Sequence, residues 1–347
     1  MVSLNSIFRN KLKEKCMHKS QIFHLDQLPE EQKKMWQETA ESMDLQFDCS
    51  NTDDQDELKK QLKAAQYLIV KKAVLTKELL DAAPDLELVQ LEGRIADKIP
   101  VEDLKQRGIP FAVVGLPSTI AVAEHAVALI LACAKKIVPA HALTVEGAYR
   151  DLGIQPKVTT ERSHGFQWMK IEGLEELNGL KLGIFGFGEI GNEIAIRLKS
   201  FNMEILYHKR NRFDADYEKQ LGVKYASKDD LFQTADIIVL NCPLTPQTQN
   251  AVSDHELLLM KNTAFLVNVS RGGVVDEPAL VKALKGKKIA GAGLDVFVEE
   301  PVPYDHAYLE LDNVVLTPHI AGGKGRGRIR NIETVLGIIK EAISQKK

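Results

Sequence analysis

Residues 179–212 restrict what this chain can fold into more than any other stretch. A short apolar segment, 182–185, runs into Gly186-x-Gly188-x-x-Gly191; Ile190, Ile194, Ala195 and Leu198 then recur at helical spacing, and 203–207 reads as a second strand. Each glycine has its own physical task. Gly186 permits a tight turn, Gly188 leaves the backbone open to a pyrophosphate, and Gly191 lets the helix pack close to the strand. A pyrophosphate would rest on the N–H groups at the positive end of the helix, at Glu189 and Ile190. In this strand–turn–helix context the pattern predicts a dinucleotide-binding unit.

The end of the second strand bears on which dinucleotide. An acidic residue there accepts hydrogen bonds from a ribose 2′-hydroxyl, whereas a 2′-phosphate needs positive charge. The chain offers Tyr207-His208-Lys209-Arg210-Asn211-Arg212, with no carboxylate before Asp214. Three fixed cations predict NADP(H), with NAD as the lesser cofactor. Arg210 and Arg212 are the expected phosphate forks, because guanidinium matches phosphate geometry.

Composition sets broad bounds. The 347 residues suffice for two domains, and 44% hydrophobic with 27% charged residues fits a globular protein. A net charge of −3 gives no reason to expect a nucleic-acid partner. Cys16, Cys49, Cys133 and Cys242 have no metal-type or redox-type spacing, so neither a metal site nor a disulfide framework is expected. The basic N-terminus (Arg9, Lys11, Lys13, Lys15, Lys19) lacks the apolar core of a secretory signal, and no apolar run is read as a membrane span. The expected location is the cytoplasm.

Along the chain, strands at 21–25, 44–48, 67–70, 86–91 and 110–114 alternate with helices at 29–42, 57–65, 76–81 and 101–106. Such alternation predicts a parallel, doubly wound sheet. Residues 118–137 read as one helix, apolar nearly all round and therefore buried, with Glu124 and His125 as its polar exceptions expected to make structural hydrogen bonds. Residues 147–176 form a poorly patterned connection. Beyond the glycine unit the alternation resumes, with strands at 236–241, 264–269 and 290–296, a last strand end at 314–319, and helices at 229–234, 254–260, 277–284 and 329–344. The fold class is thus α/β with two doubly wound parallel sheets. Residues 118–322 form a Rossmann dinucleotide-binding domain; 1–117 and 323–347 form the substrate domain.

Strand ends at the cofactor edge offer Arg271, Asp295, Glu300 and His319. Reduction of a 2-oxo acid needs a cation for the substrate carboxylate, a proton donor for the developing alkoxide, and a carboxylate that orients the donor. Histidine suits the donor role, since its charge change falls near neutrality.

These motifs resemble the D-isomer-specific 2-hydroxyacid dehydrogenase family. The similarity rests on Gly186 to Gly191, Cys-Pro-Leu-Thr from Cys242, Asn-Val-Ser-Arg-Gly-Gly from Asn268, Leu-Asp-Val-Phe through Glu300-Pro301, and Thr-Pro-His-Ile-Ala-Gly from Thr317. The resemblance implies a flavodoxin-like substrate domain and a homodimer formed through 118–137. It implies that Arg271 grips the substrate carboxylate, that His319 is the acid/base with Glu300 as partner, and that Asp295 holds the nicotinamide carboxamide. Cys242, Pro243, Thr248, Val269 and Ser270 complete the expected cofactor set; Gly93 and Arg94 join Arg271 at the substrate. A dinucleotide-sensing protein similar to the C-terminal-binding-protein corepressors is the alternative. Formate dehydrogenases carry glutamine where Glu300 stands.

The chain also departs from the family pattern. The usual Gly-x-Gly-x-Asp loop reads Gly93-Arg94-Ile95-Ala96-Asp97, and Pro-Gly-x-Asn reads Gly115-Leu116-Pro117-Ser118. After the histidine motif come Lys324, Arg326, Arg328 and Arg330, cations that oppose a helix dipole unless an anion joins them. Together with Arg94 they suggest a substrate with a second negative group.

Overall fold

The computed structural model describes residues 21–93, 95–96, 98–160, 166–322 and 327–345. The basic leader, Arg94 and the cations Lys324 and Arg326 lie outside these residues, and with them the expectations they carry. The chain divides into two compact units, Met1–Pro117 with Lys324–Lys347, and Ser118–Gly323.

The first unit contains strands β1 (Gln21–His24), β2 (Gln46–Cys49), β3 (Tyr67–Val70), β4 (Leu88–Glu92) and β5 (Phe111–Val114). Helices α1 (Glu30–Ser42), α2 (Gln55–Leu62), α3 (Lys77–Asp81) and α4 (Val101–Gln106) connect them. All strand pairs are parallel, in the order β2-β1-β3-β4-β5, which is the flavodoxin-like winding. The continuous apolar run of β3 is buried at every position, as helices on both faces of a parallel sheet require. Side chains start α2 and α3: Asp54 accepts from the Glu57 amide and Thr76 from the Leu79 amide. The final helix, α12 (Gly327–Ser344), returns to this unit, where Ile332, Val335, Leu336 and Ile339 pack with Ile22, Trp36 and Tyr67.

The second unit contains α5 (Pro117–Ala134), α6 (Ile137–Glu146), β6 (Lys181–Phe185), α7 (Glu189–Lys199), β7 (Glu204–His208), α8 (Ala215–Leu221) and β8 (Lys224–Tyr225). It continues with α9 (Lys228–Thr234), β9 (Ile237–Leu240), α10 (Asp254–Leu259), β10 (Phe265–Asn268), α11 (Glu277–Lys285), β11 (Gly291–Leu294) and β12 (Val314–Leu316). The parallel sheet runs β12-β11-β10-β9-β6-β7-β8, so the order reverses between β6 and β9. That crevice is where an open α/β sheet binds its ligand. One face of the sheet is covered by α5 and α7, through Leu129, Ile130, Ile194 and Leu198; the other packs Phe232, Leu257, Leu280 and Leu284 from α9, α10 and α11.

The apolar helix differs from its sequence reading in two ways. It stops at Ala134, Lys136 turns into the left-handed region at φ 51°, and a separate helix α6 begins at Ile137. By length and apolar content α5 does pass for a membrane span, so the reading that no run approaches one is corrected. Its buried side, Ala123, Ala126, Leu129, Ile130, Cys133 and Ala134, lies in the core of the second unit, and the rest is half-buried or exposed rather than enclosed all round. Its two polar residues do find partners: Glu124 meets Arg197 at 3.5 Å, and His125 reaches Thr317 at 3.0 Å.

Candidate active site

Where β6 ends, Gly186 has φ 95°, a conformation that favours glycine, and a Cβ there would stand 2.5 Å from the Cys242 amide nitrogen. The close approach of β6 and β9 at the switch point therefore depends on this residue. Asn241 donates its amide to the Gly186 carbonyl at 3.2 Å and fixes the crossing. Gly191 lies against the Gly186 carbonyl, 3.1 Å from its would-be Cβ, whereas Gly188 faces open space. Helix α7 starts at Glu189 with no side-chain cap. An open backbone at Gly188, which has no side chain to cap the helix, fits a dinucleotide pyrophosphate at the helix start. Across the crevice, Cys242 is buried and its thiol is pushed up to about 11 by burial, so it stays protonated; Pro243 is exposed. The Thr248 hydroxyl donates to the Pro243 carbonyl at 2.6 Å and accepts from the Thr245 amide at 2.7 Å, which shapes that loop.

The three cations after β7 are not equivalent. Lys209 lies over the Phe213 ring, with Nζ 3.8 Å from its centroid. Arg212 is already engaged: its guanidinium donates to both oxygens of Glu218, at 2.8 and 3.0 Å, and covers Tyr225. That bond holds the Glu218 carboxyl below its ordinary value, and Tyr207 donates to the same carboxylate at 2.8 Å. Arg212 thus braces the turn as an internal ion pair, while Arg210 is exposed. Asp214 caps α8 by accepting from the Tyr217 amide.

The catalytic candidates converge in the second unit. His319 Nδ1 is 2.5 Å from Glu300 Oε2, and Glu300 Oε1 accepts from the Phe297 amide at 3.0 Å. Burial alone would raise the Glu300 carboxyl; the bonds from His319 and Phe297, with the charges of His319 and Arg271, outweigh it and hold the group below its ordinary value. Arg271 is exposed on the loop after β10, and its own Nη1 donates to the Ser270 carbonyl at 2.6 Å. That loop and the Glu300 loop touch back to back at Gly272, where a Cβ would fall 1.9 Å from the Phe297 carbonyl carbon. A cavity of about 470 Å³ opens beside the pair, lined by Phe297, Leu309, Leu316 and Pro318 along with Glu300 and His319.

The supporting roles of two residues, named in the sequence only as the starts of motifs, escaped the sequence reading. Asn268, at the end of β10, accepts from the amide and hydroxyl of Ser270 and donates to the Arg271 carbonyl at 3.0 Å, so a buried amide builds the loop that presents the arginine. An asparagine two residues before serine at a strand end is the signal for such a turn. Thr317 donates to Asp295 at 2.6 Å. Asp295, expected at a nicotinamide carboxamide, is fully buried, and both of its oxygens accept bonds from the loop at 317–321. Val269 and Ser270 are buried at the same edge, and Gly93 stands in the first unit just after β4, its amide donating to the Val114 carbonyl.

Comparison with known proteins gives the family. Residues 127–321 match the family model described as D-isomer specific 2-hydroxyacid dehydrogenase, NAD binding domain. The chain is 41% identical over 263 residues to a glyoxylate reductase of Pyrococcus furiosus, covering 75% of this chain and 74% of that protein. It is 40% identical over 253 residues to the glyoxylate reductase of Aeropyrum pernix, covering 73% and 72%. Among solved structures it resembles the NADPH-dependent glyoxylate/hydroxypyruvate reductase of Sinorhizobium meliloti, with 29% identity, a TM-score of 0.51 and coverage of 94% of this chain and 95% of that one. These relatives do not favour the corepressor-like alternative. The chain belongs to the D-isomer specific 2-hydroxyacid dehydrogenase family and is an NAD(P)-dependent oxidoreductase that transfers a hydride between its cofactor and a 2-oxo acid/2-hydroxy acid pair.

Proposed function

We propose that this enzyme works with NADP(H) in preference to NAD(H) and reduces a small 2-oxo acid of the glyoxylate type. The observation that carries the reading is the 2.5 Å contact between His319 Nδ1 and Glu300 Oε2, within the field of Arg271. An ionised carboxylate only accepts, so Nδ1 carries a hydrogen and Nε2 is left to exchange a proton with substrate. The nicotinamide, when bound, supplies the two-electron reducing equivalent. In reduction, Arg271 holds the substrate carboxylate and polarises its keto oxygen, and Nε2 gives its proton to that oxygen as it becomes a hydroxyl. Glu300 stabilises the imidazolium before the transfer and keeps Nδ1–H afterwards.

Gly186, Gly188 and Gly191, with Glu189 and Ile190 at the start of α7, would cradle the pyrophosphate; Cys242, Pro243, Thr248, Val269 and Ser270 would line the opposite side. Arg210 is the 2′-phosphate contact we favour, with Lys209 beside it, since Arg212 is committed to Glu218. Gly93 and Arg94 would meet the substrate. A homodimer is supported by the exposed apolar residues Ile137, Val138 and Val145 on α6, and a cytoplasmic location by the free thiols of Cys49, Cys133 and Cys242.

The test is oxidation of NADPH and of NADH, followed by loss of the reduced nicotinamide's absorbance, against 2-oxo acids with and without a second anionic group. Turnover of glyoxylate or hydroxypyruvate with NADPH at least about tenfold above NADH supports the reading, a ratio that one charge-assisted contact can supply. Equal turnover with the two cofactors refutes the preference. A marked gain with dicarboxylic or phosphorylated oxo acids would shift the substrate toward a second negative group.

A further inference from the structure

His319 does not sit in a relaxed backbone. Its φ is 52°, in the left-handed region that costs a side chain other than glycine and persists only where surrounding bonds enforce it. Beside a bond from the His319 amide to the Thr317 carbonyl at 3.0 Å, those bonds centre on one residue. Asp295 Oδ1 accepts from the Thr317 hydroxyl at 2.6 Å and the Ile320 amide at 3.0 Å, and Oδ2 accepts from the Ala321 amide at 2.9 Å. The Asp295 carbonyl accepts from the His319 amide itself at 2.9 Å.

A carboxylate with 0% exposure needs a counter-charge or strong donors to remain ionised. The remaining partner is His125, from the middle of α5, whose Nε2 lies 3.2 Å from Asp295 Oδ1 and 3.0 Å from Thr317 Oγ1. The hydrogens fix the direction of this chain. Thr317 gives its single hydroxyl hydrogen to Asp295, so its oxygen accepts from His125, which therefore carries a proton on Nε2. The neighbouring Glu124 turns to Arg197 instead, leaving His125 as the basic side chain that faces this carboxylate among the described residues.

We propose that His125 is a positioning residue for the reaction: through Thr317 and Asp295 it holds the 317–321 loop in the strained conformation that keeps the His319 imidazole on Glu300. This rests on the acid/base reading of His319. His125 touches neither Glu300 nor His319 in any described contact, and its effect is on their alignment.

The experiment compares His125→Leu, which removes the donor, with His125→Gln, whose amide nitrogen can stand in for Nε2. His319→Gln serves as the control. For His125→Leu we expect kcat for 2-oxo acid reduction to fall about tenfold or more, a fraction of what general acid–base catalysis contributes. NADPH affinity and the KM for the oxo acid should stay within about threefold, well under the tenfold that 1.4 kcal/mol represents. The alkaline limb of the kcat–pH profile should move, and His125→Gln should recover most of the rate. A purely structural role would lower the melting temperature and the number of NADPH-binding sites but leave kcat per binding site unchanged, and that result overturns the proposal, as does wild-type kcat in His125→Leu. If His125→Leu does not fold, Thr317→Val, which removes the bridging hydroxyl at similar volume, is subject to the same two outcomes. Full turnover in His319→Gln would sink the acid/base reading itself, whereas an inactive His319→Gln beside an unimpaired His125→Leu would refute this inference alone.

Discussion

At neutral pH the Glu300 carboxylate keeps its charge, because its bonds to His319 and Phe297 and the field of Arg271 outweigh the cost of its burial. A folded-state value held below the ordinary one contributes stability above the usual carboxylate range and loses it as pH falls through the lowered value. The pair thus survives mild acid. Glu300→Gln removes the carboxylate that holds His319 Nδ1, so kcat for 2-oxo acid reduction should fall by about tenfold or more, a fraction of what general acid–base catalysis contributes, with NADPH affinity near wild type; wild-type kcat would mean that Glu300 does not support the donor. The two arginines at the strand end make a second contrast. Arg210→Ala should raise the KM for NADPH about tenfold or more and leave that for NADH nearly unchanged. Arg212→Ala should instead lower the melting temperature, since it leaves the mostly buried Glu218 carboxylate without its counter-charge and with Tyr207 alone as donor. Comparing both variants with both cofactors checks this. The sequence gives the cluster its sign but not this division of labour, because the partner Glu218 belongs to α8, a helix with too little apolar periodicity to be read.

Elements carry the site by close backbone approaches. At Gly272 the loop after β10 presses on the carbonyl of Phe297, three residues before Glu300, so an added methyl must move one loop off the other. Gly272→Ala should cut kcat by about tenfold or more while NADPH binding stays near wild type, because misalignment on the scale of 1 Å can cost more than that. Fluorescence titration with NADPH alongside turnover separates the two. Strand ends were legible in the sequence because buried parallel strands are short continuous apolar runs, and β3, β9 and β10 show this plainly. The break between α5 and α6 was not: it rests on the left-handed turn at Lys136, a residue type that gives no turn signal. Nor was the burial of Asp295, which depends on contacts from 317–321 and from α5 that no local pattern encodes.

For the whole molecule, the strand orders explain how one chain contains two α/β units, each with its own core. Helix α12 ends the chain yet belongs to the first unit, where Ile339 is fully buried among residues of that core. Ile339→Ala should destabilise the first unit by about 2–4 kcal/mol, while NADPH affinity, which we assign to the second unit, stays near wild type. Denaturant unfolding with and without NADPH checks that separation. We propose the His319–Glu300 pair as the proton donor of this 2-oxo acid reductase. Its most direct test is single-turnover oxidation of enzyme-bound NADPH by glyoxylate in wild type and His319→Gln. NADPH affinity should stay near wild type, with the rate reduced by about 10²–10⁴. A variant that turns over at the wild-type rate would contradict it.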